Sequence, residues 1–211
     1  MRHLTLTTFL APLLAAGGLL FLSATTSEAA TADYEALANY DFGESRQALS
    51  AIEEEIRSLP STGYHQVESR LLDVLNRPQA SFAAKQFVCR MLRRVGSVRC
   101  VPEMAELLGD AELSHMARFA LQHLPAPEAG AALRAALTTL EGELRVGVIG
   151  SLGLREDRSA VDLLAPLVTS KDQDTASAAI KALGRIGGRE AAQSLATVNI
   201  PAALQAFRED S

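Results

Sequence analysis

An amphipathic helical pattern recurs along this chain, and its clearest copy is TASAAIKALGRIG at Thr175–Gly187. The larger apolar residues of this copy fall at i, i+1, i+4 and i+7, which predicts one apolar stripe on an α-helix. The stripe consists of Ala179, Ile180, Leu183 and Ile186. Gly184 and Gly187 are predicted to end the helix, because glycine tolerates the left-handed turn found there.

Copies of this pattern are regularly spaced. The equivalent apolar positions are Cys89, Leu121, Ile149 and Ile180, with successive offsets of 32, 28 and 31 residues. A period of about 30 residues, in which each unit is a helix–turn–helix hairpin, is typical of an α-solenoid. Single hairpins cannot bury their apolar faces, whereas stacked hairpins bury a continuous core. The predicted fold class is therefore all-α, a solenoid of antiparallel helix hairpins.

The same apolar period predicts the other helices, which glycine and proline separate. They are Glu44–Leu59, a second around Val67–Leu75, Ser81–Val95, Ser97–Leu108, Leu113–Leu124, Ala129–Leu140, Glu143–Leu152, Ser159–Val168 and Glu190–Ala196. Pro166 is expected to kink its helix by removing a backbone donor. Gly147 and Gly150 are interpreted as allowing close helix packing. The run Glu53–Glu55 is predicted to be a solvated face.

The first 29 residues are predicted to be a signal peptide. A basic start at Arg2 precedes the apolar run Phe9–Leu22, and Ser27 and Ala29 are small residues at the −3 and −1 positions of a cleavage site. The alternative is an uncleaved membrane anchor, but the run is shorter than the roughly 18 residues that a span needs. The mature protein is therefore expected to be exported, cleaved near Ala29 and without a stable membrane span.

The remaining chain divides into three parts. Residues 30–43 have weak periodicity and are predicted to be a lead-in segment. The solenoid is predicted over 44–198, with the best repeats over 81–198. Residues 199–211 form a short tail, which is thin for the polar terminal unit that a solenoid needs. The chain is therefore expected to be a fragment of, or a module from, something longer.

Composition agrees with helix packing, since aromatic residues make up 5% of the chain and hydrophobic residues 48%. β-Sandwiches favour β-branched and aromatic residues instead. The net charge of −5 gives no electrostatic case for binding nucleic acid.

The sequence contains no recognisable catalytic, cofactor or metal motif. His115 and His123 are about 12 Å apart on a helix, too far for one metal ion, so they and His65 are predicted to be exposed or capping. Cys89 and Cys100 are predicted to be buried free thiols rather than a disulfide, although export allows the latter.

One basic concentration stands out as a weak candidate for partner binding: Lys85, Arg90, Arg93, Arg94 and Arg99. It would suit an acidic protein or phosphates. The alternative is structural, because Arg93 and Arg94 fall in the last turn of a helix, where cations interact favourably with the helix dipole.

The segment AIKALGRIGG, with Asp174 ahead of its helix and SAVDLLAPLV before it, resembles the HEAT-like repeat of the phycobilin-lyase type. LRVGVIGSLG from Leu144 is a second good match, whereas HMARFALQHLP and FVCRMLRRVG are weaker copies. Departures are Ala176 at a position that is usually basic, and Leu124-Pro125 in place of Leu-Gly. The resemblance implies a curved scaffold for macromolecular contact and carries over neither a catalytic residue nor a lyase role.

These observations predict an exported, non-enzymatic scaffold whose concave helix face docks a protein partner. The alternative is an accessory module of a longer exported enzyme, whose catalytic domain would lie outside this chain.

Overall fold

The computed structural model of the chain describes residues 32–196. The predicted signal peptide and tail lie outside the described residues. The α-helices are α1 (residues 32–39), α2 (Gln47–Ser58), α3 (Tyr64–Leu75), α4 (Phe82–Val95), α5 (Val101–Glu106), α6 (Ser114–Leu121), α7 (Pro127–Thr139), α8 (Gly142–Leu154), α9 (Val161–Leu164), α10 (Gln173–Ile186) and α11 (Gly188–Ala196). Short 3₁₀ segments are Ser61–Gly63, Val98–Cys100, Leu107–Gly109, Arg158–Ala160 and Ala165–Thr169. No β-strand occurs in this part of the chain.

The helices form consecutive hairpins, α3–α4, α5–α6, α7–α8 and α9–α10. Their second helices pack in a row, α4 on α6, α6 on α8 and α8 on α10. Each first helix also packs against the second helix of its own hairpin. The predicted all-α solenoid is therefore confirmed.

The repeat alignment predicted from the sequence is correct at its central position. The four equivalent residues, one on each second helix, have no exposed surface at all; they are Cys89, Leu121, Ile149 and Ile180. The apolar stripe of α10 is buried as predicted, with Leu183 fully inaccessible. One continuous core therefore runs through all four hairpins.

The predicted lead-in segment contributes to this core. Within α1, Tyr34, Leu37 and Ala38 are buried against the hairpins that follow. The Tyr34 hydroxyl donates a 3.0 Å hydrogen bond to Glu55 Oε2, and burial raises the pKa of this phenol above its usual range. Arg70 of α3 donates to Glu55 Oε1 at 2.8 Å. Glu55 therefore joins α1, α2 and α3.

The other two carboxylates of that acidic run lie at the surface. Glu54 pairs with Arg57 one turn later, and Glu53 lies 3.5 Å from Arg90 of α4. The prediction of a solvated face is therefore right for Glu54 but incomplete for Glu53 and Glu55, which are half-buried and pair with other helices. A single sequence does not show which carboxylate faces another helix.

Several helix ends differ from the prediction. Gly187 has φ +62° and ends α10 as expected, but Gly184 lies inside the helix, so its assignment as a stop was wrong. The predicted Ser159–Val168 helix is α-helical only over α9, and the Pro166 region continues as the 3₁₀ segment Ala165–Thr169. Pro166 stands in the first turn of this segment, where its missing N–H leaves no hydrogen bond unmade.

Two polar side chains, one buried and one half-buried, hold the turns between helices. Glu68 of α3 is buried and accepts hydrogen bonds from the backbone N–H of Ser97 at 2.7 Å and from its hydroxyl. Arg155, after α8, donates to the carbonyl oxygens of Leu121 at 2.5 Å, Leu124 at 2.7 Å and Ala126 at 3.2 Å. These bonds give the carbonyls at and after the end of α6, on both sides of Pro125, a side-chain donor.

Both cysteines are buried free thiols, as predicted. Cys89 lies in the middle of α4, and Cys100 donates to the Ser97 carbonyl oxygen at 3.1 Å. Burial raises the pKa of each thiol to about 12. The thiols therefore stay protonated in the folded protein near neutral pH and react slowly with electrophiles.

Replacing a stripe residue will cost far more stability than replacing a surface carboxylate. Leu183→Ala should lower the free energy of unfolding by about 2–5 kcal/mol, because it leaves a cavity in a sealed core. Glu54→Ala should change it by less than about 0.5 kcal/mol, because it removes only an exposed pair. Urea unfolding followed by circular dichroism measures both, and equal losses would contradict the assignment of faces.

Stability should fall at alkaline pH. The unfolded thiol ionises near pH 8.5, whereas folded Cys89 keeps its proton up to about pH 12. The contribution of Cys89 to the free energy of unfolding is therefore complete below about pH 8.5. It is lost as the pH rises towards 12, at about 1 kcal/mol per pH unit. Urea titrations between pH 7.5 and 10.5 should show a smaller pH slope for Cys89→Ala than for the wild type. Equal slopes would show that Cys89 does not contribute.

Candidate functional site

The exposed side of α4, α6, α8 and α10, which we call the second-helix face, repeats along the row of packed second helices. The position after each buried central residue lies on this face, and the four equivalents are Arg90, Gln122, Gly150 and Lys181. One turn earlier, the equivalents are Gln86, Arg118, Val146 and Ser177. The backbone repeats along the row while the side chains change, so each pair of helices presents a different surface.

The five basic residues singled out in the sequence contact different elements. Arg90 lies 3.5 Å from Glu53 of α2, Arg93 lies over the Phe119 ring of α6, and Arg99 donates to the Ser69 hydroxyl of α3 at 3.2 Å. Arg94 is exposed and Lys85 is half-buried. Only Arg90, Arg93 and Arg94 share the exposed end of α4, so the five residues do not act as one charged surface.

The α4–α6 part of the face combines cations with aromatic rings. The Arg93 guanidinium carbon is 4.5 Å from the centre of the Phe119 ring, and that of Arg90 is 5.2 Å from the centre of the Phe87 ring. His123 contacts Phe119 edge to face and lies 3.0 Å from its carbonyl oxygen through Nδ1. Phe87 is buried and Phe119 is half-buried, so the exposed aromatic surface beside the arginines comes from Phe119.

A groove lies between α8 and α10, with a volume of about 540 Å³. Its floor consists of small side chains, Val146 and Gly150 from α8 and Ala178 and Ala182 from α10. We call it the α8–α10 groove. Its volume is in the range of ligand sites, but its floor is too shallow to enclose a large apolar group.

The two ends of the α8–α10 groove carry opposite charges. Glu143, Asp172 and Asp174 lie at the helix N-termini, and Lys181 and Arg185 lie further along α10. All five are exposed. Asp172 caps α10 by accepting a 3.2 Å bond from the Asp174 N–H, and the bond from the Thr175 hydroxyl holds the pKa of Asp172 below its usual value. The Asp172 carboxylate therefore stays ionised at neutral pH.

Three glycines at a spacing of three residues along α8 have different surroundings. A Cβ at Gly153 would lie 2.8 Å from the Ala182 Cα, so the absence of a side chain here lets α8 and α10 pack closely. A Cβ at Gly147 would lie 2.4 Å from the Arg118 guanidinium carbon. At Gly150 a Cβ would meet nothing within 4 Å. The prediction of close packing holds for Gly147 but was wrong for Gly150, which opens on the groove.

Arg118 of α6 fills the space at Gly147. Its Nη1 donates to the Gly147 carbonyl oxygen at 3.1 Å, while its Nε has no hydrogen-bond partner. Burial lowers the pKa of this guanidinium below its usual value. Arg118 therefore separates the aromatic part of the face from the α8–α10 groove.

Sequence reasoning did not find the groove. Its charges stand at ordinary capping and helix-end positions, and Gly150 differs from Gly147 only in its neighbours. The available signal was the repeat alignment, because Gly150 is equivalent to Arg90, Gln122 and Lys181 and is the one position of that row without a side chain.

Within residues 32–196, no group of three or more histidine, cysteine, aspartate and glutamate side chains is placed to hold a metal ion. His65, His115 and His123 are exposed, as predicted. None of the helices in this range is both long enough and apolar enough to span a membrane.

Comparison with protein families matches residues 130–203 to HEAT repeats. The matched range includes α8 and α10. The predicted resemblance is thus confirmed for HEAT repeats in general. Among solved structures, human deoxyhypusine hydroxylase in complex with glycerol is similar to this chain, with 14% identity and a TM-score of 0.39 over 90% of this chain and 96% of that chain. Comparison with curated proteins gives no match.

Gly150 and Gly153 of α8 should respond to alanine in opposite directions. Gly150→Ala should stabilise the protein by about 0.5–1 kcal/mol, because alanine is the better helix former and its methyl group enters open space. Gly153→Ala should destabilise it by about 1–3 kcal/mol, because the methyl group overlaps α10. Thermal and urea unfolding of both variants tests this, and a loss of stability in Gly150→Ala would show that the groove floor is packed.

Proposed function

We propose that this chain is an exported, non-enzymatic scaffold that binds a protein through its second-helix face. The row of four second helices supports the proposal, because stacking buries one side of every hairpin and leaves a continuous surface on the other. HEAT repeats, which match residues 130–203, are commonly scaffolds for protein interaction.

The chemistry of the second-helix face favours a protein over a nucleic acid. Arginines over aromatic rings and a groove with both charge signs fit the varied polar and apolar groups of a protein surface. Phosphates would meet Glu143, Asp172 and Asp174 at one end of the groove, and the chain carries a net charge of −5. Both features oppose a polyanion.

Export is the part of the proposal that rests on the sequence alone. The apolar run Phe9–Leu22 and the small residues Ser27 and Ala29 support a cleaved signal peptide. The resemblance to phycobilin-lyase-type repeats belongs to the same proposal and brings no lyase role with it.

Site-specific photo-cross-linking in the native host tests the proposal. A photoreactive amino acid is placed in the tagged full chain at residues 86, 94 and 177, which lie on the second-helix face. Controls carry it at residues 131, 135 and 138, which are exposed or half-exposed positions of α7. One protein should be captured from at least two of the three face positions and from none of the controls.

Two outcomes would overturn the proposal. Capture from the α7 positions alone, or equally from both sets, would place the partner elsewhere. Recovery of the chain alone from every position would show that it binds no protein stably.

A further inference from the structure

We propose that the α8–α10 groove binds an extended protein segment that carries one positive and one negative side chain, with the backbone of that segment lying over Gly150. This inference rests on the proposed function and names the chemistry of the partner at one place on the second-helix face. Three observations carry it: the charges at the two ends of the groove, the small residues of its floor and the open space at Gly150.

The charges of the groove determine which charges the bound segment, here called the guest, carries at each end. The acidic end, with Glu143 and Asp174, attracts a lysine or arginine, and the basic end, with Lys181 and Arg185, attracts an aspartate or glutamate. Along α10, Asp174 lies about 10 Å from Lys181 and about 16 Å from Arg185, at 1.5 Å per residue. A guest with only one charge sign would be attracted at one end and repelled at the other.

The distance between the charged residues of α10 favours a guest in an extended conformation over a helical one. An extended chain covers about 10–16 Å in three to five residues, because each residue advances about 3.3 Å. An α-helix would need seven to eleven residues for the same distance, and its diameter of about 10–12 Å would keep its backbone away from the floor. Opposite charges three to five residues apart are therefore the pattern that fits.

The small residues of the groove floor favour contact with the main chain of the guest rather than with a large side chain. Gly150, Ala178 and Ala182 present almost no side-chain volume, so a guest backbone can come close to α8 and α10. No neighbour of α8 occupies the space at Gly150, and packing therefore does not require a glycine there. Close approach of another backbone is one of the established uses of glycine.

Titration of defined peptides into the ¹⁵N-labelled full chain tests the inference. The probe is a capped five-residue peptide with lysine first, glutamate last, and alanine and serine between them. Two comparison peptides carry lysine at both ends or glutamate at both ends. The mixed peptide should shift the amide signals of Gly150 and Ala178 and bind about tenfold more tightly than either comparison peptide, since each of those exchanges an attraction for a repulsion.

Reversing the basic end should reverse the preference. The double variant Lys181→Glu with Arg185→Glu makes both ends acidic, so the peptide with two lysines should become the tightest of the three by about tenfold. The matched control Arg158→Glu with Arg189→Glu makes the same change in net charge at exposed residues outside the groove. It should keep the preference for the mixed peptide.

Gly150→Ala separates loss of binding from loss of folding. This variant should melt no lower than the wild type and still bind the mixed peptide at least threefold more weakly, because its methyl group occupies the floor. Unchanged affinity would overturn the role of Gly150.

Other outcomes would overturn this inference or separate it from the proposed function. Equal binding of all three peptides, shifts outside the groove, or a preference that survives the double variant would overturn the inference. Concentration-dependent shifts of the same amides without peptide would show that a second copy of the chain occupies the groove, which also overturns it. If the peptides fail while a protein is still captured from residues 86 and 94, only this inference fails and the proposed function stands.

Discussion

The contact between α8 and α10 is the constraint on which the second-helix face depends. At Gly153 the two helices are so close that a Cβ would lie 2.8 Å from the Ala182 Cα. One turn earlier, at Gly150, the same helix has no neighbour within 4 Å of that position. The helices therefore pack closely at Gly153 and leave open space at Gly150, and the groove lies on that open side.

The polarity of the groove follows from ordinary helix chemistry. Glu143 and Asp174 stand in the first turns of their helices, and Arg185 stands in the last turn of α10. Acidic groups are favoured at helix N-termini and basic groups at C-termini, so each of these charges stabilises its own helix. Because α8 and α10 hold equivalent places in successive hairpins, their acidic ends lie at the same end of the groove. The bipolar surface is thus compatible with stability, and only Gly150 carries a cost, of up to about 1 kcal/mol.

The fold was predictable from the sequence because it depends on periodic burial. The offsets of 32, 28 and 31 residues located four residues that the structure buries completely, among them Ile149 and Ile180. The predictions that were wrong concern positions whose surroundings depend on residues distant in sequence. Gly184 looked like a helix stop but lies inside α10, and Glu55 looked solvated but joins three helices.

The candidate site was less predictable for the same reason. Gly147, Gly150 and Gly153 are identical in local pattern, yet one faces an arginine, one faces open space and one faces the backbone of α10. Only the packing of α6 and α10 on either side of α8 distinguishes them. The basic residues near Arg93 were visible in the sequence, but their directions were not, since these depend on Glu53, Ser69 and Phe119 from three other elements.

The second-helix face presents two unlike surfaces, and their combination is what gives a repeat scaffold specificity. The α4–α6 part, with Arg90 and Arg93, favours acidic groups, whereas the α8–α10 groove requires both signs of charge at a fixed distance. A purely acidic partner would satisfy the first surface and be repelled at Asp174. A partner that matches both surfaces binds more tightly than one that matches a single surface. The two surfaces lie on one row of helices, so binding at one raises the effective concentration of the partner at the other. Discrimination therefore comes as much from the repulsive end of the groove as from its attractive contacts.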